Sequence, residues 1–254
     1  MDTGRMTEFY DQLASLYHLI FVDWDESIER QATQLSSIIH ERWPDAATTL
    51  DVSCGIGTQA IGLAIRGFSV TASDLSDRSV VRAKAEALHR GVEIDFSVCD
   101  MRAAHAHHQR QFDVVVSADN SITHLLSDED LLLALQQLYA CTRPGGGCLL
   151  TVRDYDQEER GTGLVKPYGV RDEAGKRYLI FQVWDFVDTI YDMAMYFVVD
   201  DGTAEQSVTH VMRTRYNAVG TDHLMSLMRE AGFTSTERID GRFYQPVLVG
   251  NREV

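Results

Sequence analysis

The sequence is short of positive charge, proline and cysteine, and it holds no apolar run long enough to cross a bilayer. Its 254 residues carry 23 Lys and Arg against 38 Asp and Glu, a formal net charge of −15 with neutral histidines. A nucleic-acid ligand requires a basic face that displaces counterions from phosphates, and an anionic membrane surface makes the same demand. Both are therefore excluded as expected partners. No apolar stretch approaches the roughly 18 residues of a membrane span, and the polar start Met1–Glu8 is unlike a secretory signal. The four cysteines, Cys54, Cys99, Cys141 and Cys148, form no CxxC pair and no framework spacing. They read as reduced thiols of a cytoplasmic protein, with no structural zinc expected. The remainder, 44% hydrophobic and 24% charged, suffices for one large domain or a core domain with an insertion. Nothing in the composition excludes an oligomer.

Along the chain, residues 1–44 read as an N-terminal helical extension of two helices. Phe9, Leu13, Leu16, Tyr17 and Ile20 recur at helical spacing, as do Ile28, Ala32, Leu35, Ile38 and Ile39, and Pro44 closes the stretch. Strands and helices then alternate. Strands are expected at Thr49–Ser53, Phe68–Ala72, Glu93–Val98, Phe112–Val116 and Cys148–Val152. Helices are expected from Gly57 to about Arg66, over Asp77–His89, and from Ser127 to about Cys141. Beyond Arg153 the rhythm breaks. Tyr155–Gly175 reads as a polar loop, and stretches around Tyr178–Phe186, Ala194–Val199 and Val208–Tyr216 read as three strands of an antiparallel meander. A helix at Thr221–Ala231 and a hairpin of Thr234–Ile239 with Phe243–Val249 end the chain. The expected fold is α/β: a Rossmann-like, doubly wound, mostly parallel sheet with an antiparallel last strand, occupying residues 45–254. An inserted antiparallel lid occupies about 155–216.

In an open α/β sheet, ligands sit outside the carboxyl ends of the strands. Here those ends deliver Cys54-Gly55, Asp74, Asp100, Asn120 and Arg153 in succession. Bare glycine lets a ligand approach the backbone. Asp74 follows Gly57 by seventeen residues, near the spacing at which a dinucleotide fold places a ribose-binding carboxylate; a helix N-cap shared with Asp77 is the rival reading. Gly55-Ile56-Gly57-Thr58-Gln59-Ala60 also fits the loose dinucleotide pattern, which leaves a nicotinamide-linked oxidoreductase open. Asp51 within the strand, and the absence of any basic residue from Asp51 to Ala60, favour a cationic ligand such as S-adenosylmethionine.

Asp51-Val-Ser-Cys-Gly-Ile-Gly, Asp74, Asp100-Met101 and Arg143-Pro144-Gly145-Gly146 together resemble the successive motifs of class I S-adenosylmethionine-dependent methyltransferases, from about Thr48 to the C-terminus. Gln59 stands at the third glycine of the fullest first motif. The resemblance implies cofactor contacts from Asp51, Cys54, Gly55, Gly57, Asp74, Leu75, Asp100, Met101, Ala118 and His124. Asp51 and Gly55 would face the methionine part, Asp74 the ribose and Asp100 the adenine amino group. Met101 either packs on adenine or simply fills the core.

A narrower likeness joins Asn120-Ser-Ile-Thr-His-Leu125 and Arg153-Asp-Tyr-Asp156 to the glycine and glycine/sarcosine N-methyltransferases, with Tyr216 and Tyr10 matching in position. It implies catalytic or acceptor-binding roles for Asn120, Arg153, Tyr216 and Tyr10, with Arg153 pairing an amino-acid carboxylate. Salt bridges from Arg153 to Asp154 or Asp156, and a turn role for Asn120, are the alternatives. The expected activity is methyl transfer to a small metabolite, preferably the amine of glycine, sarcosine or a related amino acid. A non-catalytic S-adenosylmethionine binder and a small-molecule O-acceptor are the rivals. His105, His107 and His108 lie in a polar connection without ligand spacing, so no metal is expected. Tyr178, Phe181, Trp184 and Phe186 offer either a cation–π cage or the buried face of a strand. No Asn-Pro-Pro-aromatic motif follows the fourth strand, a further point against nucleic-acid substrates.

Overall fold

A computed structural model describes residues 3–203 and 206–254, so Met1 and Asp2 of the polar start lie outside the described residues. Its centre is a seven-stranded sheet. Five strands come first: β1 (Thr48–Asp51), β2 (Ser69–Asp74), β3 (Asp95–Val98), β4 (Phe112–Ser117) and β5 (Thr142–Thr151). They are joined late in the chain by β10 (Thr234–Ile239) and β11 (Val247–Asn251). The order is β10-β11-β5-β4-β1-β2-β3. β1, β2, β3, β4 and β5 run parallel, and β11 runs antiparallel between β5 and β10. The expected fold class is thus the observed one. Every residue of β4 is buried, as a central parallel strand covered on both faces requires.

Helices coat both faces. α2 (Trp24–Arg42), α3 (Thr58–Ile65) and α4 (Asp77–His89) close one core, through Ile28, Leu35, Ile39, Ile61 and Val80. α6 (Asp128–Cys141) and α7 (Thr221–Glu230), with the short α5 (Ala104–His108), close the other through Leu131, Leu135, Leu138, Leu224 and Met228. The starts of these helices follow capping chemistry. Asp23, Ser76 and Ser127 accept backbone N–H bonds at the first turns of α2, α4 and α6, satisfying donors that a helix leaves unpaired.

A second sheet of four antiparallel strands lies outside this unit: β6 (Leu164–Glu173), β7 (Lys176–Val187), β8 (Ile190–Asp200) and β9 (Val208–Asn217). The expected loop 155–175 and three-strand meander are therefore corrected to a four-strand sheet. β6 escaped notice because it is an edge strand with Pro167, Gly169 and a register shift between them. Such residues are tolerated at an edge, where one side of the ladder needs no partner. The apolar face of this four-stranded sheet packs with α1 (Thr3–Leu13) and a 3-10 turn at Tyr17–Ile20, forming a third core of Phe9, Leu13, Leu19, Trp184, Tyr191 and Phe197.

Other boundaries shift for physical reasons. The periodic run Phe9–Ile20 breaks after Leu13 and resumes as the 3-10 turn, which turns Tyr17 toward Gly55. β5 begins at Thr142 and not at Cys148, because Gly145 and Gly146 exchange backbone bonds with Arg252. Phe243–Pro246 is not strand; Val152 N–H donates to the Pro246 carbonyl at 3.2 Å, and Tyr244 and Gln245 bend toward Asp119.

The glycine run has a packing role at Gly147. A Cβ there would lie 1.9 Å from the Trp43 ring, whose Nε1–H is fixed on Asn251 Oδ1 at 3.1 Å. Gly147→Ala is expected to destabilise the fold by about 1–3 kcal/mol through overpacking, seen as a lower denaturant midpoint. An unchanged midpoint would show that the ring yields freely.

Candidate active site

The strand order reverses between β1 and β4, so a crevice opens where their carboxyl ends diverge. Ser53 and Ser117 hydroxyls bridge its floor at 3.0 Å. Asp51 ends β1 with 1% of its surface exposed. Its Oδ1 accepts from Ser53 N–H at 3.1 Å, whereas Oδ2 is sealed from solvent with no hydrogen-bond partner. Burial pushes this carboxyl up to about 7, the Ser53 N–H opposes the shift, and the charge of Asp74 adds to it. A buried acceptor left unpaired is costly, and a cationic group reaching Oδ2 would relieve that cost.

Asp74 ends β2 and grips the glycine loop. Its Oδ2 accepts from Gly55 N–H at 2.8 Å and its Oδ1 from Ser76 N–H at 2.9 Å. Burial raises its carboxyl, against those backbone bonds. The N-cap of α4 is Ser76, so capping does not account for Asp74. Gly55 has φ +52, and a Cβ on it would meet the Tyr17 ring at 3.3 Å. Gly57, at φ +98, caps α3, and a Cβ there would strike Ile61 at 2.8 Å. The first glycine faces the crevice; the second serves turn and helix packing.

Asp100 ends β3. Burial alone would raise its carboxyl, but hydrogen bonds from Arg102 hold it below the ordinary range. Arg102 reaches Asp100 Oδ2 at 2.6 Å and Asp130 at 2.8 Å. Gly55, Asp74, Leu75, Asp100, Met101 and His124 all line one chamber of about 50 Å³, roofed by Met6, Tyr10 and Tyr17. That volume holds a few waters, not an adenosyl group, so a ligand of that size must displace the roof. Met101 also packs against the second core, and its two expected roles coincide. Cys54 and Ala118, by contrast, are side chains of the first core and line neither chamber.

A second chamber, of about 360 Å³, lies between the ends of β4 and β5 and the antiparallel sheet. It shares Tyr10 and Tyr17 with the first. Asn120 and Arg153 reach it, with Tyr168, Tyr191 and Tyr216 as aromatic walls. Asn120, at φ +65, is occupied by the protein itself: Oδ1 accepts from Arg153 N–H at 2.9 Å and Nδ2 donates to Tyr155 at 2.7 Å. It ties β4 to β5 and fixes the backbone of Arg153. The Arg153 guanidinium lies 4.6 Å from the Trp184 ring centroid and 3.4 Å from Glu158, not on Asp154 or Asp156. Its Nε is buried without a partner. The four aromatics Tyr178, Phe181, Trp184 and Phe186 do not line this chamber; Trp184 instead carries Arg153 on its face, worth about 0.5–2 kcal/mol.

His124 lines the first chamber and bonds to Tyr10, which both chambers share. Its Nδ1–H faces the Arg215 carbonyl at 3.1 Å, which leaves Nε2 to accept from Tyr10 at 2.7 Å. Desolvation lowers its pKa to about 3, so the ring is neutral at physiological pH. Tyr216 lies on it with ring centroids 4.0 Å apart. Asp119, Tyr168, Tyr191, Tyr244 and Gln245 are lining residues that sequence reasoning missed. Asp119 sat beside a named residue without a motif of its own, and the tyrosines are scattered over separate strands. His107 and His108 bond to Ser97 and Ser73. Among the described residues no group of three His, Cys, Asp or Glu is placed to hold a metal ion.

Residues 49–146 match the model of a methyltransferase domain family. A glycine/sarcosine N-methyltransferase of Parasynechococcus marenigrum (strain WH8102) is 30% identical over 145 residues, covering 57% of this chain and 51% of that protein. Another, from Aphanothece halophytica, is 28% identical over 221 residues, covering 83% and 76%. A dTDP-3-amino-3,6-dideoxy-alpha-D-glucopyranose N,N-dimethyltransferase of Streptomyces fradiae is 29% identical, covering 56% and 54%. The chain thus spans about half the length of the first and third of these. Among solved structures, Streptomyces venezuelae DesVI superposes with a TM-score of 0.81 at 20% identity, over 94% of this chain and 97% of that one. CalS10, an amino pentose methyltransferase from Micromonospora echinaspora solved with S-adenosylmethionine, gives 0.77 at 20% identity, over 89% and 92%. These likenesses favour the methyltransferase motifs over the nicotinamide reading.

The raised carboxyl of Asp51 sets a pH dependence. A folded-state pKa above the unfolded one means that the native state holds the extra proton, so stability falls as pH rises from about 4 through about 7. Asp51→Asn, which keeps the Ser53 bond, is expected to raise Tm by roughly 5–10 °C at pH 8 and hardly at all near pH 4. Equal Tm values at pH 8 would contradict the buried, unpaired oxygen.

Proposed function

We propose that the chain is a class I S-adenosylmethionine-dependent methyltransferase and that it transfers a methyl group to the nitrogen of a small metabolite; the match of residues 49–146 to a methyltransferase domain family and the shared fold support this. The observation that carries this reading is the pair of adjoining chambers sharing Tyr10 and Tyr17. One is edged by the carboxylates Asp74 and Asp100, and Asp51, outside its lining, is near enough to feel the charge of Asp74. The other is walled by tyrosines around Arg153. When bound, S-adenosylmethionine supplies a methyl group on a positively charged sulfur, which an acceptor lone pair can displace.

The chain's own residues supply binding and orientation. Asp51 Oδ2 suits the cofactor's ammonium, Gly55 its close approach, and Asp74 the ribose hydroxyls. Leu75 and Met101 form the apolar surfaces for adenine, with Asp100 at its polar edge. Cys54, Gly57 and Ala118 contribute through backbone shape. His124 is neutral and fully engaged, so it holds Tyr10 in place between the chambers. Asn120 positions Arg153, and Arg153 takes an oxygen-rich or carboxylate end of the acceptor. Tyr10 and Tyr216 shape the passage; burial raises both hydroxyls, which stay protonated and neutral. Holding acceptor and methyl donor in line, out of water, can supply about 7–11 kcal/mol of the barrier.

The preferred acceptor class is an amino acid such as glycine or sarcosine, since Arg153 fits a carboxylate. A chamber of about 360 Å³ also admits larger amines, and the amino-sugar enzymes among the relatives keep that class open. The proposed organisation is the helical extension 1–44, the methyltransferase domain 45–254 and the lid at about 155–216. No helix among the described residues is long and apolar enough to cross a membrane, and the four free, buried cysteines suit a cytoplasmic setting.

Two variants test the reading. Asp74→Ala is expected to weaken S-adenosylhomocysteine binding about 10–100-fold by calorimetry, the range of a lost charged hydrogen bond, with NADH binding to neither protein. Unchanged cofactor affinity would reject the site. Arg153→Ala is expected to raise the acceptor KM at least tenfold while cofactor affinity holds; an unaltered KM would reject recognition of an anionic end.

A further inference from the structure

Asp119 is the one carboxylate among the residues that line the 360 Å³ chamber. It stands just beyond β4, at the mouth of the crevice, and its backbone is held in the left-handed region at φ +54, next to Asn120 at φ +65. Two consecutive residues in that region cost about 1–3 kcal/mol each and persist where the surroundings enforce them. Here Thr151 enforces them: its Oγ1 accepts from Asp119 N–H at 2.8 Å and its carbonyl from Asn120 N–H at 2.9 Å. The turn aims the Asp119 side chain into the chamber. There Oδ1 accepts from Tyr244 at 2.6 Å and from Gln245 at 3.4 Å. Oδ2 accepts no hydrogen bond from any described residue.

The opposite charge in the same chamber is not spent on it. Arg153 pairs with Glu158 and stacks on Trp184, and no ion pair joins it to Asp119. The chamber is therefore bipolar, with an anion and a cation that are both half-buried and both line it. An amine reaches the site mostly as an ammonium, and in a tyrosine-walled space an unpaired cation is costly. Two neighbouring polar side chains are already occupied. Both nitrogens of His124 and both ends of the Asn120 amide have protein partners.

We propose that Asp119 receives the amine of the acceptor through Oδ2, opposite Arg153, pairing with it as an ammonium and then taking its proton so that the nitrogen lone pair can displace the methyl from sulfur; the site thereby selects small molecules bearing an amine at one end and an oxygen-rich or anionic group at the other. This rests on the methyltransferase reading above. Burial raises the Asp119 carboxyl, against the bonds from Tyr244 and Gln245 and the charge of Arg153. The acceptor's affinity then falls on acidification, as the carboxylate that holds its cation is neutralised.

The test begins with wild-type protein, methyl-labelled S-adenosylmethionine, and glycine, sarcosine and a low-molecular-weight cell extract as probes, read by mass spectrometry. An N-methylated product is expected; a product methylated on oxygen or carbon overturns the role of Asp119 and leaves the methyltransferase reading standing. With the methylated amine as substrate, Asp119→Asn is expected to raise KM at least tenfold. Its affinity for S-adenosylhomocysteine should stay within twofold, and the acid limb of the pH–KM profile should disappear. Asn tolerates left-handed backbone and its oxygen still accepts from Tyr244, so this variant keeps its fold. An unchanged KM, or a wild-type KM that does not rise on acidification, overturns the inference. Wild-type protein that neither binds S-adenosylhomocysteine nor labels any probe overturns the proposed function itself, and the inference with it.

Discussion

A carboxylate sealed from water with one oxygen unpaired sits at the place where the sheet changes direction. The rest of the site is arranged around that constraint. Asp51 is carried there by β1, whose neighbours β2 and β4 leave it no route to solvent. No described residue donates a hydrogen bond to Oδ2. The fold bears this cost in the unliganded state and recovers it when a cation arrives. Asp74 is handled differently: its two oxygens hold the backbone of Gly55 and Ser76, so it shapes the loop as well as facing the chamber. Asp100 is held ionised by Arg102. Three carboxylates at successive strand ends thus occupy three electrostatic states, set by burial and by the donors each can reach.

Much of this was legible in the sequence because it is local. A strand that ends in Asp51 and runs into Gly55 and Gly57 needs no long-range information, and the caps of α4 and α6 lie within three residues of the groups they serve. The parallel order followed from alternation and short connections. What escaped reading depends on distant contacts or on edges. β6 carries Pro167 and Gly169, which signal a loop unless a neighbouring strand is known to pair with them. Asn120 matched an acceptor-binding motif, yet its amide is consumed by Arg153 and Tyr155, partners 33 and 35 residues away. Asp119 carried no signal, since its significance arises only when Arg153, Tyr168 and Tyr244 gather around it.

The antiparallel sheet and the first helix share one core, distinct from the two that hold the parallel sheet. The roof over the carboxylate chamber belongs to this third core: Tyr10 lies on α1, and Tyr17 follows it in the 3-10 turn. The two chambers are joined at the same tyrosines.

The most direct measurement is a crystal structure of the protein with S-adenosylhomocysteine. The expected result is the ligand lying along the ends of β1, β2 and β3, its ammonium toward Asp51, its ribose on Asp74 and the Tyr17 ring moved off Gly55. A ligand bound elsewhere, or a crevice whose carboxylates and tyrosines keep their present contacts in saturating ligand, would contradict the account.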